Sequence, residues 1–215
     1  PLYIQMTDGT RLLVSDSVNY FQVTRDCSRI FYRKFVDLDQ DGKLTTSDEG
    51  LDYIYNVDTQ ITSEWPYDII HFSFSPDSEH YVFYDNKDLY VNTFDNDNLQ
   101  RLTYNSIWGL HETWSPNGEY IALYTNDSYG DCVSVIKADG TDLTHLACDL
   151  GNGRGLSWTS DNRVVFPKEV TTDNRHWFTV KPDGTEMTDV TNTEILQKNL
   201  QKCGWPDSSV FVEAW

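Results

Sequence analysis

Basic residues are scarce in this chain of 215 residues, in which 16 Lys and Arg stand against 34 Asp and Glu, for a formal net charge of −18. A surface of this sign repels phosphate backbones and anionic lipid, so we expect no nucleic-acid partner. No apolar stretch approaches the roughly 18 residues that a membrane-spanning helix needs, so we expect no membrane insertion. The charge instead suits high solubility and the binding of cations.

Signatures of common enzymes are also missing. The sequence has no Gly-x-Ser-x-Gly motif, no phosphate-binding loop and no dinucleotide fingerprint. Two of its five histidines, His71 and His111, occupy the same position of the repeat described below. With Glu112 they could ligate a metal, but histidines at equivalent repeat positions are more often packing or hydrogen-bonding residues. We expect no enzymatic activity, and the role of this pair stays open.

Cysteine is rare, at four residues, and no C-x-x-C pair indicates a zinc or redox motif. Cys132 and Cys148 each lie eight residues from Gly140, so a hairpin that turns there places them opposite each other. This spacing predicts a cross-strand disulfide. Whether Cys27 and Cys203 are bonded, which would join the two ends of the fold, stays open. Disulfides favour an extracellular or cell-surface location, with the periplasm as a further option.

What the chain does contain is an internal repeat. An aromatic residue, a Ser-Pro-Asp/Asn turn and an apolar run occur at 74–84 and again at 114–124. Weaker copies lie at 158–166 and 204–212, and an earlier copy lies at 23–32. Each copy is typical of a strand, a tight turn and a second strand.

A second motif alternates with the first. Asp-Gly-Thr occurs at 8–10, 139–141 and 183–185, each time after an alternating apolar stretch, and variants lie at 53–58 and 89–94. Asp-Gly between alternating strands indicates a hairpin, so the two motifs together give four strands per repeat. Five copies of each motif divide the 215 residues into units of 43 (215/5).

The order of the motifs predicts an all-β fold, namely a five-bladed β-propeller of four-stranded antiparallel blades in a single domain. Because the chain opens with a second half-repeat and ends with a first half-repeat, the terminal half-blades would pair and close the ring. The predicted blades span 204–215 with 1–16, then 18–64, 68–105, 107–149 and 153–192.

The repeat resembles that of TolB-like, WD-type β-propellers. The resemblance is carried by Trp114-Ser-Pro-Asn-Gly, Ile121-Ala-Leu-Tyr, the following Asp139-Gly-Thr, and the Leu102-Thr pair that ends the previous repeat. It is good over 74–147 and weaker at both ends of the chain. It implies a scaffold used mostly for protein contacts and does not imply a particular activity.

An acidic loop interrupts the second predicted blade at 37–48. Aspartates at loop positions 1, 3, 5 and 12, with glycine at position 6, fit the oxygen ligands and the sharp turn of a calcium loop. The loop resembles the EF-hand and, with Asp at position 12, even more the dockerin calcium loop, although its flanks read as strands. The predicted Ca²⁺ ligands are the carboxylates of Asp37, Asp39, Asp41 and Asp48, the Lys43 carbonyl, and Thr45 directly or through water.

These features predict a non-enzymatic, calcium-binding extracellular propeller that acts as a structural or protein-interaction module. Its terminal half-blades could pair within one chain or with neighbouring copies, and open head-to-tail pairing would generate oligomers or filaments. Two alternatives stay open, a carbohydrate-binding propeller and a polysaccharide lyase or glycoside hydrolase. Binding to glycans would favour the first alternative, and turnover of acidic polysaccharides would favour the second.

Overall fold

A computed structural model describes residues 1–6, 8–37, 50–65, 71–85, 88–94, 98–104, 112–127, 130–151, 155–171, 174–192 and 211–214. The regular structure in these ranges is β-sheet. None of the described ranges holds a helix that is long and apolar enough to cross a membrane. The chain divides into two compact units, Pro1–Tyr67 with Trp205–Trp215, and Asp68–Gly204.

The first unit contains two antiparallel sheets. The terminal sheet has the strand order β19-β1-β2, and the loop-bearing sheet has the order β3-β4-β5-β6. Strand β1 pairs antiparallel with β19, with Leu2 opposite Ala214 and Gln5 opposite Phe211, so residues from both ends of the chain meet in one sheet. The strands are β1 (Leu2–Gln5), β2 (Arg11–Ser15), β3 (Val18–Val23), β4 (Arg29–Phe35), β5 (Gly50–Asn56), β6 (Ile61–Glu64) and β19 (Phe211–Ala214).

The core of this unit lies between its two sheets. Leu2 and Ile4, alternate residues of β1, are fully buried against Ile30, Tyr32 and Tyr55 of the loop-bearing sheet. Successive side chains of a strand point to opposite faces, so residues two apart share the buried face. The apolar residues that alternate in the sequence therefore form the buried face of β1.

The second unit contains three four-stranded antiparallel sheets, with orders β10-β9-β8-β7, β11-β12-β13-β14 and β15-β16-β17-β18. Their strands are β7 (His71–Phe74), β8 (His80–Tyr84), β9 (Leu89–Thr93), β10 (Gln100–Arg101), β11 (Thr113–Trp114), β12 (Tyr120–Asp127), β13 (Gly130–Lys137), β14 (Thr144–Cys148), β15 (Ser157–Trp158), β16 (Val164–Thr171), β17 (Asn174–Val180) and β18 (Thr188–Asp189).

Both faces of the middle sheet, β11 to β14, are covered. Ile121 and Leu123 of β12 pack with the preceding sheet, in a core that includes Val82 and Leu89. Ala122, which points the other way, packs with the following sheet in a core that includes Phe166. A sheet that is buried on both faces explains why its central strands read as continuous apolar runs.

Two tryptophans connect the first strands of these sheets. Trp114 Nε1 donates a hydrogen bond to the carbonyl of Ser73 (3.1 Å), and Trp158 Nε1 donates to the carbonyl of Thr113 (3.0 Å). Ser73 and Thr113 occupy the same position of the repeat, so the same hydrogen bond occurs between both pairs of neighbouring sheets. The repeated tryptophan thus combines core packing with a specific polar contact between neighbouring sheets.

Side chains of the repeat motifs hold the turns. Asp139 accepts hydrogen bonds from the backbone N–H of Thr141 (2.9 Å) and from its hydroxyl (2.6 Å), and Asp183 does the same for Thr185. These contacts explain why Asp-Gly-Thr recurs, because the aspartate replaces a backbone acceptor at the turn. Much of the repeated acidic character is therefore structural.

The predicted all-β architecture of four-stranded antiparallel sheets is confirmed. The terminal sheet shows three strands among the described residues, and residues 204–210, which belong to the predicted blade, lie outside them. The blade count of five, the closed ring and the single domain stay predictions.

Candidate functional site

The predicted calcium loop joins β4 to β5. These strands pair along their length, and the last pair, Phe35 with Gly50, holds the two ends of the loop side by side. Asp37, the first predicted ligand, follows this pair by two residues and is half-buried. The other predicted ligands lie outside the described residues, and these are Asp39, Asp41, Lys43, Thr45 and Asp48.

An ion pair fixes the strands at the base of this loop. Arg33 donates two hydrogen bonds to Asp52, from Nε to Oδ1 (2.7 Å) and from Nη2 to Oδ2 (2.6 Å). The Asp52 side chain is only 6% exposed, so this bidentate pair is shielded on the carboxylate side. A Cβ atom at Gly50 would lie 2.6 Å from Cδ of Arg33, so glycine leaves the space through which the arginine reaches its partner.

The chemistry that this hairpin can support follows from its geometry. Calcium takes six to eight oxygen ligands, and a loop of alternating aspartates supplies them when its ends are held close together. Paired strands keep the ends close, whereas the helices of a sensor protein change their angle. The base of this loop therefore suits a site that stiffens one hairpin.

A second group of potential metal ligands lies in the turn before β8. One ligand atom each from Asp77, Glu79 and His80 lie within 4.8 Å of one another. The Asp77 carboxylate, however, already accepts hydrogen bonds from the Ser75 hydroxyl and the Glu79 backbone N–H (2.9 Å). Asn117 serves the equivalent turn of the next sheet, so the position needs an acceptor and does not need a charge. We interpret this cluster as part of the turn.

Glu112 is a buried acid that, unlike Asp77, does not serve as an acceptor in a turn. The residue immediately precedes β11 and is only 6% exposed. Within the described residues, neither of its carboxylate oxygens has a hydrogen-bond partner. Burial raises the pKa of this carboxyl from its ordinary value of 4.5 to about 8. The equivalent positions of the neighbouring repeats hold Phe72 and Leu156. A carboxyl with a raised pKa thus occupies a position that the two neighbouring repeats fill with an apolar residue.

The histidine pair His71 and His111 falls largely outside the described residues. His71 begins β7, but its side chain lies outside the described part of the structure, as does all of His111. The role of the pair therefore stays open.

A polar network that the sequence reasoning missed crosses three strands of the middle sheet. The Ser134 hydroxyl lies 2.8 Å from His145 Nδ1 and 2.8 Å from the Thr125 hydroxyl. Serine beside histidine resembles a nucleophile with its base, but Ser134 is fully buried and no substrate can reach it. The network satisfies buried polar groups. Its only sequence signal was a polar residue at an inward position of each strand.

The predicted disulfide between Cys132 and Cys148 is confirmed. The two cysteines are directly opposite each other on β13 and β14. The bond considered between Cys27 and Cys203 is not formed at Cys27, whose thiol is free and buried, and Cys203 lies outside the described residues.

No known protein family matches the sequence, and no curated protein matches it. Solved structures, in contrast, are similar. TolB from Acinetobacter baumannii aligns with 85% of this chain at a TM-score of 0.61 and 16% identity, and the alignment covers 46% of that protein. TolB from Agrobacterium tumefaciens aligns with 89% of this chain at a TM-score of 0.58 and 15% identity, covering 69% of that protein.

An enzyme is among the similar structures. Oligogalacturonate lyase from Vibrio parahaemolyticus aligns with 87% of this chain at a TM-score of 0.61 and 12% identity, and the chain spans 55% of that protein. Because TolB and a lyase share one scaffold, the scaffold does not decide whether this chain is an enzyme. Similarities at this level of identity establish the fold alone, and they show that the chain has a TolB-like β-propeller fold.

Proposed function

We propose that this chain is a five-bladed, ring-closed propeller that binds calcium and acts, without enzymatic activity, as an extracellular structural or protein-interaction module. The observation that carries the proposal is the base of the acidic loop. There the Phe35–Gly50 pair and the Arg33–Asp52 ion pair hold both ends of a loop with four aspartates at calcium-ligand spacing. Asp37, Asp39, Asp41 and Asp48 would supply carboxylates, Lys43 its carbonyl, and Thr45 a direct or water-mediated contact.

Calcium in this position would act on stability. A cation that binds only the folded chain stabilises it by mass action, and neutralising four clustered aspartates relieves repulsion in a chain of net charge −18. The disulfide supports a location in an oxidising compartment, outside the cell or in the periplasm. Protein contacts are the proposed use of the scaffold, and pairing of terminal half-blades between copies is one form that they could take.

The test is calorimetric and thermal titration with CaCl₂. We expect one site per chain, with a Kd of roughly 0.1–1 mM or tighter, and a rise in melting temperature. Both effects should disappear in Asp37→Ala/Asp41→Ala. The matched control, Glu79→Ala/Asp161→Ala, removes two exposed carboxylates elsewhere, including one of the rival cluster. Calcium binding that survives the first pair and is lost in the second would place the ion in the turn before β8 and refute the loop assignment.

A further inference from the structure

The loop-bearing sheet supports the terminal sheet through one face of β4. Ile30 and Tyr32, alternate residues of this strand, pack against Leu2 and Ile4 of β1 in one buried cluster. From this contact we infer that calcium in the loop at 37–48 regulates the pairing of the chain ends, because it stabilises β1 in its place between β19 and β2. The inference rests on the proposed calcium site and adds a regulatory role to it.

Both strands that hold the ends of the acidic loop contribute to this cluster. β4 leads into the loop and supplies Ile30 and Tyr32, and β5 follows the loop and supplies Tyr55, which is only 4% exposed. Tyr53 of β5 is directly opposite Tyr32 and stacks on it, with the ring centroids 5.4 Å apart and the planes at 20°. The pairing of β4 with β5 therefore sets the position of the surface on which β1 packs. A cation that stiffens this hairpin also fixes that surface.

An ion pair extends the same face of β4 towards the loop. Lys34 is the next residue on the face of Tyr32, and its Nζ lies 2.8 Å from Oδ1 of Asp16, which follows β2 directly. Lys34 also adjoins Phe35, whose pair with Gly50 forms the base of the loop. A side chain at the base of the loop thus reaches the end of a strand of the terminal sheet. The Asp16 side chain is 72% exposed, so the pair contributes little by itself and the buried cluster carries most of the coupling.

Strand β1 is short, and its position depends on this support. Of its four residues, Leu2 and Ile4 are fully buried in the cluster, and the two residues that alternate with them are half-buried. Displacement of β1 would expose the face of Ile30 and Tyr32 to water. The hairpin would then lose its packing on that face, hold the ends of the loop less firmly and bind calcium more weakly.

This difference in affinity makes calcium a regulator of β1. A ligand that binds one of two states more tightly shifts the population towards that state. Linkage also requires the converse, so the position of β1 changes the affinity for calcium by the same factor. Because β19 pairs with β1, with Leu2 opposite Ala214, removal of calcium should release β19 together with β1.

Hydrogen exchange with mass spectrometry on the whole chain, in CaCl₂ and in EGTA, measures the opening of β1 directly. We expect the amides of residues 2–5 and 211–214 to exchange about tenfold more slowly with calcium, a typical size for coupling between two sites. Strand β12 of the second unit is the reference and should exchange at the same rate in both solutions. Asp37→Ala/Asp41→Ala should abolish the difference, since that chain lacks the site.

The converse effect provides an independent test by calorimetry. Ile4→Ala weakens the packing of β1 and should raise the Kd for calcium about fivefold, although Ile4 lies in a different sheet from the loop. Leu13→Ala, at a 52% exposed position of β2, is the matched control and should leave the Kd unchanged. If Ile4→Ala does not fold, the exchange measured on the wild type decides the question.

The outcomes separate this inference from the proposed function. If calorimetry detects no calcium binding, both are refuted. If calcium binds and binding is lost in Asp37→Ala/Asp41→Ala, but the exchange of residues 2–5 and 211–214 is unchanged, the inference alone is overturned. Equal slowing of exchange in β12, which would indicate general stabilisation, overturns it too, as does an unchanged Kd in folded Ile4→Ala.

Discussion

Cys132 lies directly opposite Cys148 on the neighbouring strand, with their Cα atoms 4.0 Å apart and their side chains joined in a disulfide. Cys132 is fully buried, and its strand β13 is central to the middle sheet. The bond therefore ties the outer strand β14 to a strand that is buried on both faces.

Removing this bond should destabilise the fold. Cys132→Ser/Cys148→Ser frees the unfolded chain from a constraint across 16 residues, so we expect the free energy of unfolding to fall by about 3 kcal/mol. Denaturant titration of both proteins measures the difference. In a reducing buffer the wild type should lose most of its advantage, whereas an advantage that survives full reduction would show that the serines themselves cause the effect.

The disulfide could be predicted because its determinants are local. An Asp-Gly turn and two cysteines at equal distance from it fix the register of one hairpin, and the repeat motifs fix most other strands in the same way. Two features could not be predicted. The approach of Arg33 across Gly50 and the isolation of Glu112 depend on how side chains pack between strands, which no spacing along the sequence encodes.

Glu112 should make stability depend on pH. Its pKa is about 8 in the folded chain and near 4.5 when unfolded, so the folded state holds a proton that the unfolded state releases between these values. The contribution of Glu112 to stability is then greatest below pH 4.5 and falls as the pH rises towards 8, by about 3 kcal/mol at pH 7. Glu112→Leu, which copies the residue at the equivalent position 156, should remove this dependence and stabilise the chain at pH 7.

Chemical denaturation at pH 5, 6, 7 and 8 measures this effect as the difference between variant and wild type. The many other carboxylates cancel in that difference. Glu119→Gln, in an exposed turn, serves as the control and should leave the profile of the wild type unchanged. A constant difference between Glu112→Leu and the wild type across this range would contradict a protonated Glu112.

Gly50→Ala should weaken the base of the acidic loop. The added methyl group would displace the Arg33 side chain and leave the nearly buried Asp52 carboxylate without its partner, at a cost of about 1–3 kcal/mol. The calcium-induced rise in melting temperature should shrink as well. A double-mutant cycle with Arg33→Ala provides the check, because Gly50→Ala should have little further effect once the arginine is absent. If Gly50→Ala destabilised the chain equally with and without Arg33, loss of the Arg33–Asp52 ion pair would not be the cause.

Strand β1 should be essential for closing the terminal sheet. It lies between β19 and β2, and Leu2 and Ile4 fill the core beneath it. Deleting residues 1–14 removes the partner of β19 and uncovers the apolar face of the loop-bearing sheet, so we expect the first unit to lose its cooperative unfolding transition. Ile4→Ala, a milder change, should cost about 2–5 kcal/mol, whereas Leu13→Ala, at a position 52% exposed, should cost much less.

The same strand pair can show whether closure occurs within one chain. Tyr3 and Glu213 are directly opposite each other in β1 and β19, so Tyr3→Cys/Glu213→Cys should form a disulfide after oxidation. We expect that bond to lie within single chains, which peptide mapping and a monomer band on a non-reducing gel would show. Disulfide-linked dimers or ladders would mean that the terminal strands pair between copies, because a half-blade left open must take its hydrogen bonds from another molecule. A Tyr3→Cys/Glu213→Cys chain that forms neither bond, together with unchanged unfolding after deletion of residues 1–14, would show that β1 and β19 do not pair.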